Sequence, residues 1–301
     1  VCDNSLQIGG LSVAQLAQRV GRTPFYAYDR YRLQERVAAL RRHLPSAVHL
    51  HYAIKANPMP AVVQSLASLV DGLDVASGGE LRVALDTGLA PDVISFAGPG
   101  KSTSELAQAV AAGIVVNVES SHELNRLIRE GERQGRRPKV AIRVNPDFEL
   151  KTSGMKMGGG PKAFGIDAEQ VPDILEAVAS LDLAFMGFHI YTGSQNLRAE
   201  AIIEAQSKTF ELAYRLADRA PAPVRILNIG GGFGIPYFPG EQPLDLAPIG
   251  ESLEAQCSEC RARLPEAQIV VELGRYLVGE AGFYVCEVID RKVSRGEIFL
   301  V

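Results

Sequence analysis

Eight short apolar runs, most of them rich in β-branched residues, recur along the chain: His49–Ile54, Leu73–Ala76, Val93–Ala97, Ile114–Val118, Val140–Val144, Leu183–Ile190, Val224–Ile229 and Ile269–Leu273. Between successive runs lie stretches with helical periodicity, at Ala61–Val70, Gly79–Thr87, Ser104–Ala112, Ser120–Gln134, Ala168–Leu181, Ala199–Ala220 and Leu246–Leu264. Short apolar runs without alternation read as strands buried on both faces, and parallel strands need crossover connections of the kind these helical stretches supply. The pattern predicts an all-parallel (β/α)8 barrel over residues 25–280, with an open doubly wound sheet as the alternative.

Ahead of the first run, Ser12–Val20 reads as a helix capped by Ser12, Phe25–Tyr28 as a strand and Arg30–Leu44 as an amphipathic helix. Past the eighth run, Tyr284–Arg291 and Glu297–Val301 read as strands without helices. They are expected to open a C-terminal β domain at residues 281–301 that is largely absent from this chain. Residues 1–24 are expected to contribute to the same domain.

Composition narrows the chemistry. A net charge of -4 with both signs interspersed provides no basic stripe for nucleic acid and no polybasic segment for a membrane. No apolar run has the length of a membrane span and no signal peptide is legible, so a cytoplasmic protein acting on small molecules is expected. Cys2, Cys257, Cys260 and Cys286 have no spacing for a disulfide framework. The Cys257/Cys260 pair lacks a second pair to complete a zinc site, so no metal is expected.

In a (β/α)8 barrel the active site forms at the C-terminal ends of the strands, and here those ends are polar. They carry Lys55, Asp74 and Ser77, Gly98-Pro99-Gly100, Glu119, Arg143 and Asn145, His189, Gly230-Gly231-Gly232, and Glu272 with Gly274 and Arg275. Burial lowers an ammonium pKa, so Lys55 at a strand tip can be an amine nucleophile toward a carbonyl compound, or it can snorkel to the rim. The glycines of 230–234 let backbone N–H groups approach an anion, and the loop after strand seven is the usual barrel phosphate site. A plain turn is the alternative there. Gly100-Lys101-Ser102 only imitates a P-loop, because Ser95 stands where the first glycine belongs. Glu272 follows three apolar residues and needs a cationic or N–H partner, which Arg275 could supply.

Taken together, these residues resemble the pyridoxal-phosphate-dependent decarboxylases of the alanine-racemase fold, the group of diaminopimelate, ornithine and arginine decarboxylases. The resemblance rests on Tyr52-Ala53-Ile54-Lys55-Ala56-Asn57, Asp74–Leu81, Arg143-Val144-Asn145-Pro146, Phe164-Gly165-Ile166, Gly187-Phe188-His189 with Gly193-Ser194-Gln195, Gly230–Gly234, and Glu272-Leu273-Gly274-Arg275. It implies pyridoxal 5'-phosphate as cofactor, with Lys55 as the Schiff-base lysine and His189 stacked on the cofactor ring. It implies that Glu272 pairs with the pyridine nitrogen, while Ser194, Gly231, Gly232, Gly274 and Arg275 hold the phosphate. Asp74 and Arg143 would orient the cofactor from beneath.

There are two departures. Leu273 replaces the family's usual proline, which leaves both charged groups in place, and Tyr191 replaces the second histidine of its His-x-His-x-Gly-Ser-Gln motif. Tyr191 and the Ser153–Gly160 loop bear on the substrate, and resemble an exosortase-associated subgroup that includes decarboxylases of carrier-protein-bound aminoacyl groups. The substrate expected is therefore an L-amino acid or a carrier-bound aminoacyl group. An ornithine-, lysine- or arginine-type decarboxylase and a non-catalytic regulator are the alternatives. A racemase shares the fold but usually pairs the ring nitrogen with arginine, where this chain has Glu272. The family also implies a homodimer, with a catalytic cysteine and a phosphate-binding tyrosine from a C-terminal domain; neither is in this sequence.

Overall fold

A computed structural model describes residues 5–148, 155–156 and 158–301. Eight parallel strands form its centre: β1 (Val48–Ala53), β2 (Gly72–Val75), β3 (Ile94–Phe96), β4 (Val115–Val118), β5 (Lys139–Asn145), β6 (Ala184–Ile190), β7 (Ile226–Asn228) and β8 (Gln268–Leu273). Each pairs with its neighbours in chain order, and β8 pairs with β1, so the sheet closes on itself. This is the (β/α)8 barrel, and the open sheet is excluded. A short strand at Ile166–Asp167 adds to the outer end of β5.

The two faces of the barrel strands carry different chemistry. Leu50, Tyr52, Leu73, Phe96, Val118, Ile142, Phe188, Leu227 and Val271 point outward into one apolar core under the helices. The opposite parity faces the barrel interior, and it is polar toward the C-terminal ends. The register sets His51 beside Gly72, Ala53 beside Asp74, Asp74 beside Ser95, and His189 beside both Arg143 and Asn228. A strand buried on both faces can still carry polar residues inward, because the neighbouring strands bring partners at the same height.

Helices Pro60–Ala67, Gly78–Leu85, Thr103–Ala112, Ser121–Gln134, Val171–Ala179, Ala199–Ala217 and Ala247–Arg263 connect the strands. Arg30–His43 packs against both the first and the last of these. Ser77 and Ser120, each two residues past a strand end, accept the N–H of Glu80 and Glu123 as helix caps. Such immediate capping keeps the loops at the C-terminal face short.

The segments that flank the barrel on either side meet. Phe25–Tyr28 pairs antiparallel with Gly282–Val285, with Tyr26 and Tyr284 ring centroids 5.1 Å apart. Tyr284–Arg291, read as one strand from sequence, is interrupted: residues 286–290 carry no strand, and Arg291–Ser294 instead forms a hairpin with Glu297–Leu300. The Arg295-Gly296 turn explains that pairing, because both residues have positive φ, 51° and 90°. Gln7–Ile8 pairs locally with Leu11–Ser12.

Candidate active site

Lys55 stands on a 3-10 turn, Ile54–Ala56, that continues β1. The Tyr52 hydroxyl donates to the Asn57 carbonyl (3.0 Å) and the Asn57 N–H to the Ile54 carbonyl (3.0 Å), tying the turn to the strand. Lys55 is exposed rather than buried, which corrects the burial argument: a strand tip that curls into a turn lifts its side chain to the rim. Its amine has no hydrogen bond or ion pair among the described residues.

Two cavities meet at Ala53, Lys55 and Glu272. One of about 290 Å³ is lined by Ser194, Gln195, Gly232, Gly274 and Arg275, together with Tyr191. The other, of about 210 Å³, is lined by Asp74, Ala97, Gly98, Arg143, Phe164 and His189. The sequence-derived set is therefore gathered around one cup, with Lys55 at its centre. Gly231 lies beside it, its Cα so close to the backbone of Glu272 that a Cβ would sit 2.1 Å from the Glu272 carbonyl oxygen. Gly232 has φ 79°, and a Cβ there would meet the Gly193 carbonyl at 2.7 Å. These contacts require glycine and leave a cradle of bare backbone.

Glu272 is buried and takes its partners from β6 and β7. Asn228 Nδ2 donates to its Oε2 at 3.0 Å, and His189 Nε2 lies 3.3 Å from the same oxygen. Burial opposes ionisation of this carboxyl, but the neighbouring His189, Lys55 and Arg143 outweigh it and hold the group below the usual carboxylate range. The partner proposed from sequence, Arg275, is not there: its guanidinium reaches Gln195 Oε1 at 3.4 Å and lies 5.7 Å from the Tyr237 ring centroid. Arg275 begins a helical turn after Gly274, which swings it away from the end of β8 and into the larger cavity.

Arg143 is buried. Its Nη1 donates to Glu119 Oε1 at 2.9 Å, and its guanidinium lies 4.9 Å from the Phe164 ring centroid. Glu119 also accepts the N–H groups of Gly98 and Gly165, so one carboxylate ties three loops at the rim. Lys101 is buried below this rim, donating to the carbonyls of Gly98 (2.7 Å) and Asn117 (2.8 Å) and to Glu123 (2.9 Å). That is the structural role expected of a P-loop imitation. Cys257 and Cys260 are buried in the helix core, and no metal-binding cluster exists among the described residues. Ser153, Gly154 and Met157 of the Ser153–Gly160 loop, and Cys2, lie outside the described residues.

Sequence reasoning missed Asn228, which holds Glu272 and whose Oδ1 also accepts the Gly230 N–H at 2.8 Å. A lone polar residue inside the run Ile226-Leu227-Asn228-Ile229 was the available signal.

Residues 30–279 match the family model for the pyridoxal-dependent decarboxylase, pyridoxal binding domain. The chain is 38% identical over 282 residues to an L-glutamyl-[BtrI acyl-carrier protein] decarboxylase of Niallia circulans, covering 93% of this chain and 66% of that protein. It is 36% identical over 305 residues to a diaminopimelate decarboxylase of Aquifex aeolicus, covering 99% and 70%. The crystal structure of diaminopimelate decarboxylase from Helicobacter pylori, complexed with L-lysine, superposes with a TM-score of 0.83 at 28% identity over 95% of this chain and 72% of that one. The chain thus spans about two thirds of the length of the curated relatives it matches.

Proposed function

The chain belongs to the pyridoxal-dependent decarboxylase family, and from that premise we propose that it removes the α-carboxylate of an amino acid or a carrier-bound aminoacyl group, with Lys55 as the covalent anchor of pyridoxal phosphate. The observation that carries this reading is the Lys55 amine, unpartnered among the described residues, at the junction of two cavities beside a buried carboxylate held ionised.

The residues present fit the cofactor. His189 Nδ1 is buried without a hydrogen-bond partner, Asp74 Oδ2 is likewise orphaned, and the backbone of Gly232 and Gly274 lines the larger cavity without side chains. Bound there, pyridoxal phosphate supplies an electron sink for bond cleavage at the amino-acid α-carbon. In this proposal Ser194, Gly231, Gly232, Gly274 and Arg275 hold the phosphate through backbone N–H groups, a hydroxyl and a guanidinium. Glu272, kept charged, holds a proton at the pyridine nitrogen. His189 packs on the ring, and Asp74 and Arg143 orient it from the other cavity.

The likeness to the Niallia circulans enzyme, and Tyr191 in the wall of the larger cavity, support a carrier-bound glutamyl group as one substrate class. The proposal includes a homodimer, supported by the apolar side chains of Ile289, Val293, Ile298 and Leu300 that face solvent. It also includes a cytoplasmic location, in keeping with the free thiols of Cys257, Cys260 and Cys286. No helix among the described residues is long and apolar enough to cross a membrane.

The test is to incubate the protein with pyridoxal phosphate, reduce with borohydride, and map the adduct by mass spectrometry. Release of CO2 from free L-amino acids and from aminoacyl carrier proteins is assayed alongside. An adduct at Lys55 with turnover of at least one class supports the reading; an adduct at other lysines alone overturns it.

A further inference from the structure

Beneath the cup, three polar side chains in the barrel interior that the reaction outlined above does not use connect to Asp74. His51 Nδ1 lies 3.2 Å from Asp74 Oδ1, Ser95 Oγ donates to that same oxygen at 2.6 Å, and Asn117 Nδ2 donates to Ser95 Oγ at 3.1 Å. All four side chains line a small cavity of about 20 Å³, which Asp92, Val115, Ile226, Asn228 and Val270 also border. That volume suffices for about one water. Asp74 belongs to this cavity and to the cup above it.

The arrangement constrains the carboxylate. An ionised carboxylate only accepts hydrogen bonds, so the imidazole that faces it carries its proton on Nδ1. Two donors converge on Oδ1, while Oδ2 is buried and has none. A carboxylate held at one oxygen by donors from two different strands cannot rotate to exchange its oxygens without losing both bonds. A room-making feature accompanies the pair. Gly72, which pairs with His51 across β1 and β2, has no space for a side chain: a Cβ there would sit 2.4 Å from His51 Nε2. The imidazole occupies the volume a side chain at residue 72 would need.

We propose that His51 is a positioning residue, locking Asp74 so that its second oxygen faces the cup as a fixed acceptor for a cationic or N–H donor of the bound ligand. This rests on the assignment of the cup to pyridoxal phosphate. His51 touches neither cavity wall above Asp74 and acts only through that carboxylate.

The experiment compares His51→Leu, His51→Asn and Ser95→Ala with the wild type. Asn keeps a donor near the Nδ1 position; Leu fills the space without one. Three quantities are read: borohydride-trapped cofactor at Lys55, the position of the visible absorption band of the bound cofactor, and kcat against KM on whichever substrate the wild type accepts. The expected result is normal trapping in all variants, a displaced band and a kcat about tenfold or more below wild type in His51→Leu with KM little changed, and substantial recovery in His51→Asn. Ser95→Ala, which deletes the other donor without touching the His51 site, shifts the band in the same direction and remains informative if His51→Leu does not fold. Nitrogen NMR of the apo protein reads the His51 tautomer independently. A wild-type band and kcat in His51→Leu overturn the proposal, as does a wild-type band in Ser95→Ala, or an Nδ1 found without a proton. Failure of the wild type itself to trap cofactor at Lys55 strikes instead at the assignment of the cup.

Discussion

His189 Nε2 stands 3.3 Å from Glu272 Oε2 inside the barrel wall, and Asn228, on the strand between theirs, donates to the same oxygen. Three consecutive strands thus supply one acid and its two neighbours. Because the charge of Glu272 matters most when electrons flow toward the cofactor, Glu272→Gln is expected to lower kcat far more than it lowers cofactor affinity. Turnover per bound cofactor, with occupancy measured separately, checks this; weak binding with unchanged turnover per site speaks against it.

The same group ties stability to pH. Its folded-state pKa is held below that of an unfolded glutamate, about 4.3, so the stability it contributes is fully present above that value and is lost as pH falls through the folded one. Denaturant melts from pH 7 down to pH 3 should show the wild type losing stability more steeply than Glu272→Gln. Parallel curves for the two proteins contradict this.

Lys101 and Glu123 form an ion pair that is almost wholly buried, with Nζ to Oε1 at 2.9 Å. Burial pushes the Lys101 ammonium below its ordinary pKa, against the pull of Glu123. Lys101→Met strands a buried carboxylate and should cost about 3–5 kcal/mol. Cofactor trapping at Lys55 should persist in whatever fraction folds, as judged by urea melts followed by adduct mapping. Loss of trapping from a fully folded Lys101→Met variant would give Lys101 a direct part in binding.

Gly231→Ala tests the cradle. The added methyl meets the Glu272 carbonyl, so the loop must shift, at a cost of about 1–3 kcal/mol. Affinity for pyridoxal phosphate should fall more than that of Gly100→Ala, whose site has open space. Equilibrium dialysis of the two variants compares them; equal affinities would show that the loop does not touch the ligand.

Thiol chemistry separates the cysteines. Burial pushes the Cys257 thiol up to about 11 and raises that of Cys260, whereas Cys286 is exposed. Iodoacetamide at neutral pH should label Cys286 in the folded protein, and Cys257 and Cys260 only after unfolding, as read by peptide mass spectrometry.

The barrel was legible because each strand is apolar on its helix-facing side and short, while each crossover has its own period. Leu50, Leu73 and Phe96 carry that signal as plainly as any residues here. The cup was legible through its strand ends. What the sequence could not convey was which partner each charged residue chose. Glu272 and Arg275 are three apart, yet the turn after Gly274 sends them to different neighbours, Asn228 and His189 for one and Gln195 for the other. The placement of Lys55 stayed open between strand tip and rim for a related reason: the run His49–Ile54 gives no sign that its last residue leaves the strand for a 3-10 turn. His51, Ser95 and Asn117 escaped notice because single polar residues in separate strands become a chain only when register sets them side by side.

The clasp between Phe25–Tyr28 and Gly282–Val285 joins segments more than 200 residues apart, as does the pairing of β1 with β8. During synthesis, then, the first barrel strand leaves the ribosome with one hydrogen-bonding edge open, and that edge stays open until the last strand arrives. Pairings so distant along the chain carry the full entropy of closing the loop between them, and they come late in folding. From its first barrel strand to its eighth, a nascent chain of this design is an incomplete, edge-exposed sheet, and the protein's yield in a cell depends on how that interval is guarded.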